Sequence, residues 1–494
     1  MLVGRDPTEP RRLRLTTITD ETRLALSTLA ERTVGIRTPA IRLGVTGLAR
    51  AGKTVFISAL VHNLIHGGRL PLFKAYSGGR VTACRLEPQP DDAVPRFDYE
   101  RHVSALVDER VWPDSTRQIS ELRLTIAYES ASFLSRRFGS GRIHLDIVDY
   151  PGEWLLDLPL LSKDYATWAR ETLTTARTRG RPELAARWLA RLAEVNPAAP
   201  EDEALARELA ALFTEYLRAV RADGSSLSTL PPGRFLMPGD LDGSPALTFS
   251  PLDLGEGAIP HGSLAAMMAR RYVSYKTAVV RPFFREHFAR LDRQIVLVDA
   301  LEALNAGPEA VAALEEALAE ILGAFRLGRT GWLSSLVTRR IDRILFAATK
   351  ADHLHHRDHD RLEAVLSRIV QRAIARAEFA GATVDVIALA SVRATREGTV
   401  THRGERLPSI IGTPLPGERV NGDTFDGSSE IAMFPGDLPE DPESFFQPGA
   451  GAAALRFARF RPPKLERTAE GMTLSLPHIR LDRALEFLIG DRLT

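Results

Sequence analysis

Apolar and polar positions along the chain divide it into strand-like, helix-like and loop-like stretches. Residues 41–46 alternate like a strand, a loop containing glycines follows, and residues 55–65 carry apolar side chains at helical spacing. Before them, Leu24, Leu26 and Leu29 in residues 20–32 predict a short amphipathic helix. Residues 67–120 are rich in glycine, proline and charge and predict mobile loops, with one strand-like piece at 81–86. Leu122, Leu124, Ile126 and Tyr128 alternate with other side chains, and Ile143, Leu145, Ile147 and Val148 follow beyond a glycine-serine turn, together predicting a hairpin.

From 154 to 291 the strand signal gives way to helical periodicity, at 165–178, 182–195, 203–222 and 263–291, interrupted by proline and glycine at 230–262. Three short apolar runs then appear at 295–298, 344–348 and 384–389, separated by helix-like segments at 308–327 and 359–380. Short apolar strands alternating with helices predict a mostly parallel sheet with helices on both faces, which makes the fold class α/β with a large helical insertion. Residues 399–446 read as loops and short strands, and 479–488 as a closing helix. The expected organisation is therefore an N-terminal helix and a first part of the α/β domain at 1–153, a helical subdomain at 154–291, the second part of the α/β domain at 292–398, and a C-terminal extension at 399–494 packed on it.

Composition narrows the function classes. Of 494 residues 44% are hydrophobic and 26% charged, and 64 lysines and arginines face 63 acidic residues, so overall charge gives no reason to expect nucleic-acid binding. The basic stretches at 11–14 and 456–464 read as solvated surface without an aromatic platform for single strands. A single cysteine, Cys84, rules out an internal disulfide framework and fits a reducing compartment. No run approaches the roughly 20 apolar residues of a membrane span, so the expectation is a cytoplasmic protein without direct membrane insertion, with a peripheral place at the inner membrane through a partner left open.

The chemistry is carried by four motifs in order. Gly47-Leu-Ala-Arg50-Ala51-Gly52-Lys53-Thr54, followed by Val55, matches G-x-x-x-x-G-K-[ST] and lies between a strand and a helix. Its main-chain N–H groups can curl around phosphates, Lys53 can reach the β and γ oxygens, and the Thr54 hydroxyl can ligate Mg²⁺. Asp149-Tyr-Pro-Gly152 ends a strand in the form D-x-x-G, with Asp149 toward Mg²⁺ and the Gly152 N–H toward the γ-phosphate. Asp299, at the end of the 295–298 strand, is a rival acidic partner for the metal; its other reading is a strand-end carboxylate capping the next loop. Thr349-Lys350-Ala-Asp352 has the form [NT]-K-x-D, where the aspartate accepts from guanine N1 and N2 and the lysine stem lies along the ring. Ser391 and Val392, after the last strand, would offer main-chain N–H to guanine O6.

Three further residues bear on catalysis. Thr116, with Ser115 as competitor, is the candidate to ligate Mg²⁺ only when a γ-phosphate is present. Glu153 follows Gly152 and either orients the attacking water or is an exposed switch residue. Arg50, inside the phosphate loop, either folds over the phosphates as a cis arginine finger or faces solvent. The run of histidines at 353, 355, 356 and 359 lacks a fixed metal-ligand spacing and reads as surface.

These residues, with Trp112-Pro113, the segment Ala390-Ser-Val-Arg-Ala-Thr395 and the ending Leu476-Pro-His-Ile-Arg-Leu-Asp-Arg-Ala-Leu-Glu-Phe487, resemble the YcjX-like bacterial stress proteins over nearly the whole chain. The resemblance implies a P-loop NTPase fold of the translation-factor-related GTPase class with a helical insertion. The motifs themselves call for GTP/GDP and Mg²⁺; the resemblance adds a bacterial source and a gene commonly beside that of an inner-membrane protein, a possible partner. Arg50 alone is similar to the phosphate-loop arginine of guanylate-binding proteins and atlastins. The expected activity is GTP hydrolysis; a slow or non-hydrolysing nucleotide switch and an ATPase on the same loop are the alternatives.

Overall fold

A computed structural model describes residues 38–493, apart from 115, 117, 131–140, 179–181, 223–229, 256–257, 324–340, 403, 421, 447–454, 456 and 466–474. The helix expected at 20–32, the basic stretch at 11–14, Ser115 and Arg456 lie outside these residues. Seven strands form the central sheet: β1 (Ala40–Gly47), β2 (Val81–Glu87), β3 (Ser120–Tyr128), β4 (Gly141–Asp149), β5 (Arg293–Val298), β6 (Arg343–Ala348) and β7 (Thr383–Ala388). Their order is β2-β3-β4-β1-β5-β6-β7. The pairs β2–β3 and β3–β4 are antiparallel, and every pair from β4 to β7 is parallel.

The apolar runs that predicted β5 and β6 are continuous because both faces of these strands are covered. Ile295, Leu297, Leu345 and Ala347 pack on one side with α1 (Lys53–His66) and a C-terminal helix (Leu481–Ile489). Val296, Val298, Ile344 and Phe346 pack on the other with helices at Ala300–Ala306, Pro308–Gly323 and His359–Ile369. Alternate residues of one strand thus enter different cores, as the two-residue period of a strand requires.

Between β4 and β5 the chain is helical, with α2 (Tyr165–Thr178), α3 (Pro182–Ala193), α4 (Glu203–Ala222) and α5 (Leu264–Tyr275). An aromatic core unites them: Trp168 stacks on Tyr272 at 5.0 Å and Trp188 on Tyr216 at 5.3 Å. That core runs without a break into Tyr150 and Leu291 at the edge of the sheet domain.

Several expected elements differ in detail. The single helix expected at 263–291 is α5, then a wider π turn at Lys276–Val280, then Arg281–Glu286 and a 3₁₀ turn at Phe288–Arg290. The 359–380 helix is broken at Val370 into His359–Ile369 and Gln371–Phe379. Residues 67–120, expected to be mobile, include helical turns at Lys74–Ser77 and Tyr99–Glu109 that bury Phe73, Phe97 and Leu106 in the sheet core. Loop-like composition misled there because a few well-spaced aromatics suffice to anchor a polar segment. Beyond β7 a second, three-stranded antiparallel sheet forms from Arg396–His402, Glu405–Gly412 and Ile431–Met433.

Candidate nucleotide site

The loop between β1 and α1 turns twice through the left-handed region, at Arg50 (φ 63°) and Gly52 (φ 87°). Nothing lies within 4 Å of where a Gly52 Cβ would project, so this glycine answers to backbone conformation rather than to crowding. Lys53 curls back over the loop and donates from Nζ to Gly47 O at 3.0 Å and Leu48 O at 3.4 Å. Burial lowers its pKa, while the nearby carboxylates of Asp149 and Glu153 oppose the shift and Arg221 reinforces it. Phosphate oxygens beside this desolvated ammonium would oppose the shift as the two carboxylates do.

Three oxygen-bearing side chains from separate elements meet beside Lys53. Thr116 donates to Asp149 Oδ2 at 2.6 Å, and its hydroxyl lies 3.3 Å from that of Thr54. Asp149 is 1% exposed, and its second oxygen, Oδ1, is buried with no hydrogen-bond partner among the described residues. Burial pushes the Asp149 carboxyl up to about 6, against the pull of Lys53 and the Thr116 hydrogen bond. Two hydroxyls and a buried carboxylate with an open oxygen are the hard-oxygen set that a Mg²⁺ ion takes, so these residues fit that ion. The backbone at Gly152 touches the phosphate loop directly, because a Cβ there would stand 2.4 Å from Gly47 O and 2.7 Å from the Leu48 carbonyl carbon.

Asp299 belongs to a different constellation. Its Oδ1 accepts from Glu302 N at 3.2 Å and caps the Ala300–Ala306 helix, and its Oδ2 pairs with Lys350. This is the capping role rather than the metal role. Burial alone would lower the Lys350 pKa, but the Asp299 carboxylate outweighs it and the net shift is upward. The charge of Lys350 is thus fixed and its stem is held in place. Asp352 is buried and accepts at Oδ2 from Ala394 N at 2.8 Å, while the Thr395 hydroxyl donates to its main-chain oxygen. The loop after β7 therefore positions the carboxylate expected to read the base.

One cavity of about 330 Å³ gathers most of these groups. The phosphate loop contributes Arg50, Ala51, Gly52, Lys53, Thr54 and Val55 to its lining, which also includes Thr116, Glu153 and the residues expected to read the base, Thr349, Lys350, Asp352, Ser391 and Val392. Gly47, Asp149 and Gly152 stand behind this lining rather than in it. Arg50 is exposed on the cavity wall, whereas Glu153 is 5% exposed and ion-paired with Arg221, so it is not an exposed switch residue.

The basic stretch expected to be surface is part of the wall. Arg459 and Phe460 line the cavity, and Phe460 is buried with its ring 5.6 Å from that of His353, edge to face. Leu415 N donates to Arg459 O at 2.7 Å, and Trp112 Nε1 donates to Phe460 O at 2.6 Å. The aromatics at 457 and 460 among those arginines were the signal that this segment packs. Of the histidine run, His355 and His356 share Glu397, and Arg393 lies 3.5 Å from the same carboxylate. That guanidinium already supplies the carboxylate with a counter-charge.

The glycine-rich loop between a central strand and a helix, with a hairpin on one flank of a parallel sheet, defines a P-loop α/β protein. The chain belongs to the YcjX-like family, DUF463, which matches residues 41–493. It is 39% identical over 466 residues to the Ras-like GTPase YcjX of Escherichia coli, covering 92% of this chain and 96% of that protein. It is 35% identical over 475 residues to the Ras-like GTPase YcjX of Shewanella oneidensis, covering 92% and 94%. Among the described residues no helix is long and apolar enough to cross a membrane.

Proposed function

We propose that this protein binds GTP with Mg²⁺, hydrolyses it to GDP, and serves as a nucleotide-dependent switch in a bacterial stress response. The observation carrying the reading is the cavity in which the phosphate loop, Glu153 next to the D-x-x-G segment and the [NT]-K-x-D loop converge from three distant parts of the chain. The names of the two relatives agree with it.

In this mechanism the main chain of residues 50–54 and Lys53 hold the triphosphate, and Thr54, Thr116 and Asp149 would hold Mg²⁺, which offsets the charge on the β and γ oxygens. Asp352 accepts from guanine N1 and N2, the Lys350 stem covers the ring, and the N–H groups at Ser391 and Val392 face O6. Glu153 orients a water molecule. The water oxygen bonds to the γ-phosphorus, the bond from that phosphorus to the bridging oxygen breaks with its electrons passing to GDP, and the water proton leaves with the phosphate. Arg50, exposed on the wall, can fold over the phosphates and stabilise the charge that develops.

Calorimetry with GDP and GTP in Mg²⁺ buffer tests binding, and Asp352→Asn tests the base. The variant should shift preference from guanine toward xanthine nucleotides, because an amide offers N–H where the carboxylate accepted it. Unchanged selectivity would remove Asp352 from the reading.

A further inference from the structure

The D-x-x-G region is held by the helical segment at several points. Gly233 packs so closely on Glu153 that a Cβ would fall 1.7 Å from the Glu153 main-chain oxygen. The guanidinium of Arg234 lies 3.2 Å from the centre of the Trp154 ring. Asp157 accepts from Gly233 N at 2.7 Å, Arg234 N at 3.2 Å and the Tyr275 hydroxyl at 2.6 Å. These contacts fix the main chain around Glu153. Its carboxylate is met by a different group, Arg221 at the end of α4.

Resting on the GTPase reading, we propose that Arg221 is a positioning residue for hydrolysis, delivered by the helical insertion to hold Glu153 against the attacking water. The Glu153 side chain is 6% exposed and pairs with Arg221, and it also acts electrostatically on a second cation. That cation is Lys53, whose charge feels both Glu153 and Arg221. Without Arg221 the carboxylate turns to Lys53 and competes with the γ-phosphate for it. With Arg221 the carboxylate is held on the insertion side, Lys53 stays available to phosphate, and Glu153 faces the cavity it lines. The insertion is then part of the catalytic apparatus.

The experiment compares wild type, Arg221→Ala, Arg221→Lys, Glu153→Gln and the double variant Glu153→Gln with Arg221→Ala. Readouts are GDP affinity, affinity for GDP with aluminium fluoride, and single-turnover hydrolysis. Arg221→Ala should lose about 100-fold in rate, the scale of losing acid–base assistance, and lose more affinity for GDP with aluminium fluoride than for GDP alone. Arg221→Lys and added guanidinium should each restore part of the rate. In the Glu153→Gln background, Arg221→Ala should have no further effect. Wild-type rate and aluminium fluoride affinity in Arg221→Ala, or additive losses in the double variant, overturn the proposal. If Arg221→Ala does not fold, Arg221→Lys and its combination with Glu153→Gln supply the same comparison. Failure of the wild type to bind GDP would instead remove the GTPase reading itself.

Discussion

Replacing Gly152 with alanine adds one methyl group at the point where the D-x-x-G region touches the phosphate loop. The methyl would meet Gly47 O at 2.4 Å, the Leu48 carbonyl carbon at 2.7 Å and Ala49 N at 2.9 Å. All three are main-chain atoms, so no side-chain rotation relieves the clash. Reaching ordinary van der Waals contact requires the two segments to part by about 1 Å, on the scale at which misplacement of a reacting centre costs about 10²-fold in rate. Overpacking of this kind costs about 1–3 kcal/mol in stability, which leaves a protein of this size folded. The expected outcome is therefore a folded Gly152→Ala variant with a modestly lower melting temperature, little change in GDP affinity, and hydrolysis reduced about 100-fold. Circular dichroism, calorimetry and single-turnover assays measure the three quantities. A variant that hydrolyses GTP at the wild-type rate would refute the contact between these segments as a determinant of catalysis.

Two stability predictions follow from buried polar groups. The Asn63 side chain accepts from Leu476 N at 2.8 Å and donates to Leu476 O at 3.0 Å, fastening the C-terminal segment to α1; Asn63→Ala leaves both main-chain groups unpaired and should cost about 3 kcal/mol in chemical denaturation, whereas a loss below about 1 kcal/mol would show the tether to be dispensable. Burial pushes the Asp157 carboxyl up to about 6 from 3.8, despite hydrogen bonds from Tyr275, Gly233 and Arg234. Between those values the folded protein keeps a proton that the unfolded chain releases, so this group's contribution falls as pH rises through the window, by about 3 kcal/mol in all. The stability of wild type relative to Asp157→Asn should decline accordingly from about pH 4 to about pH 7; a difference independent of pH would contradict the burial assigned to the carboxyl.

Strands β5 and β6 were legible in the sequence because they are covered on both faces and appear as uninterrupted apolar runs, Ile295 to Val298 and Ile344 to Ala348, whereas β1 and the β3–β4 hairpin showed by alternation. The phosphate loop was legible for a different reason: its glycines and lysine serve main-chain geometry and phosphate charge, and both demands are local in sequence. Contacts between distant segments left no such trace. Phe460 meets Trp112 across about 350 residues of chain, and the surrounding arginines gave the segment a surface composition. The pairing of Glu153 with Arg221 was equally hidden, since α4 by itself is an ordinary amphipathic helix with arginines on its polar side. Asp299 was ambiguous because a carboxylate at a strand end serves a metal or a helix cap equally well until its neighbours are known.

The two segments expected to flank the γ-phosphate are tied to different parts of the molecule. Thr116 belongs to a stretch whose Trp112 is fastened to the C-terminal wall at Phe460, and whose Arg110 donates to Pro462 O at 3.1 Å. Glu153 belongs to a stretch fastened to the helical insertion through Arg221, Gly233 and Arg234. Under the GTPase reading, both segments change their contacts when the γ-phosphate leaves, since each loses a group it surrounds. A shift at Thr116 pulls on the wall that lines the base end of the cavity, whereas a shift at Glu153 pulls on the insertion. Nucleotide state would then reach two surfaces by separate mechanical routes. Base affinity and insertion geometry would become separable by mutation, with Trp112→Phe loosening the first tie and Arg221→Ala the second.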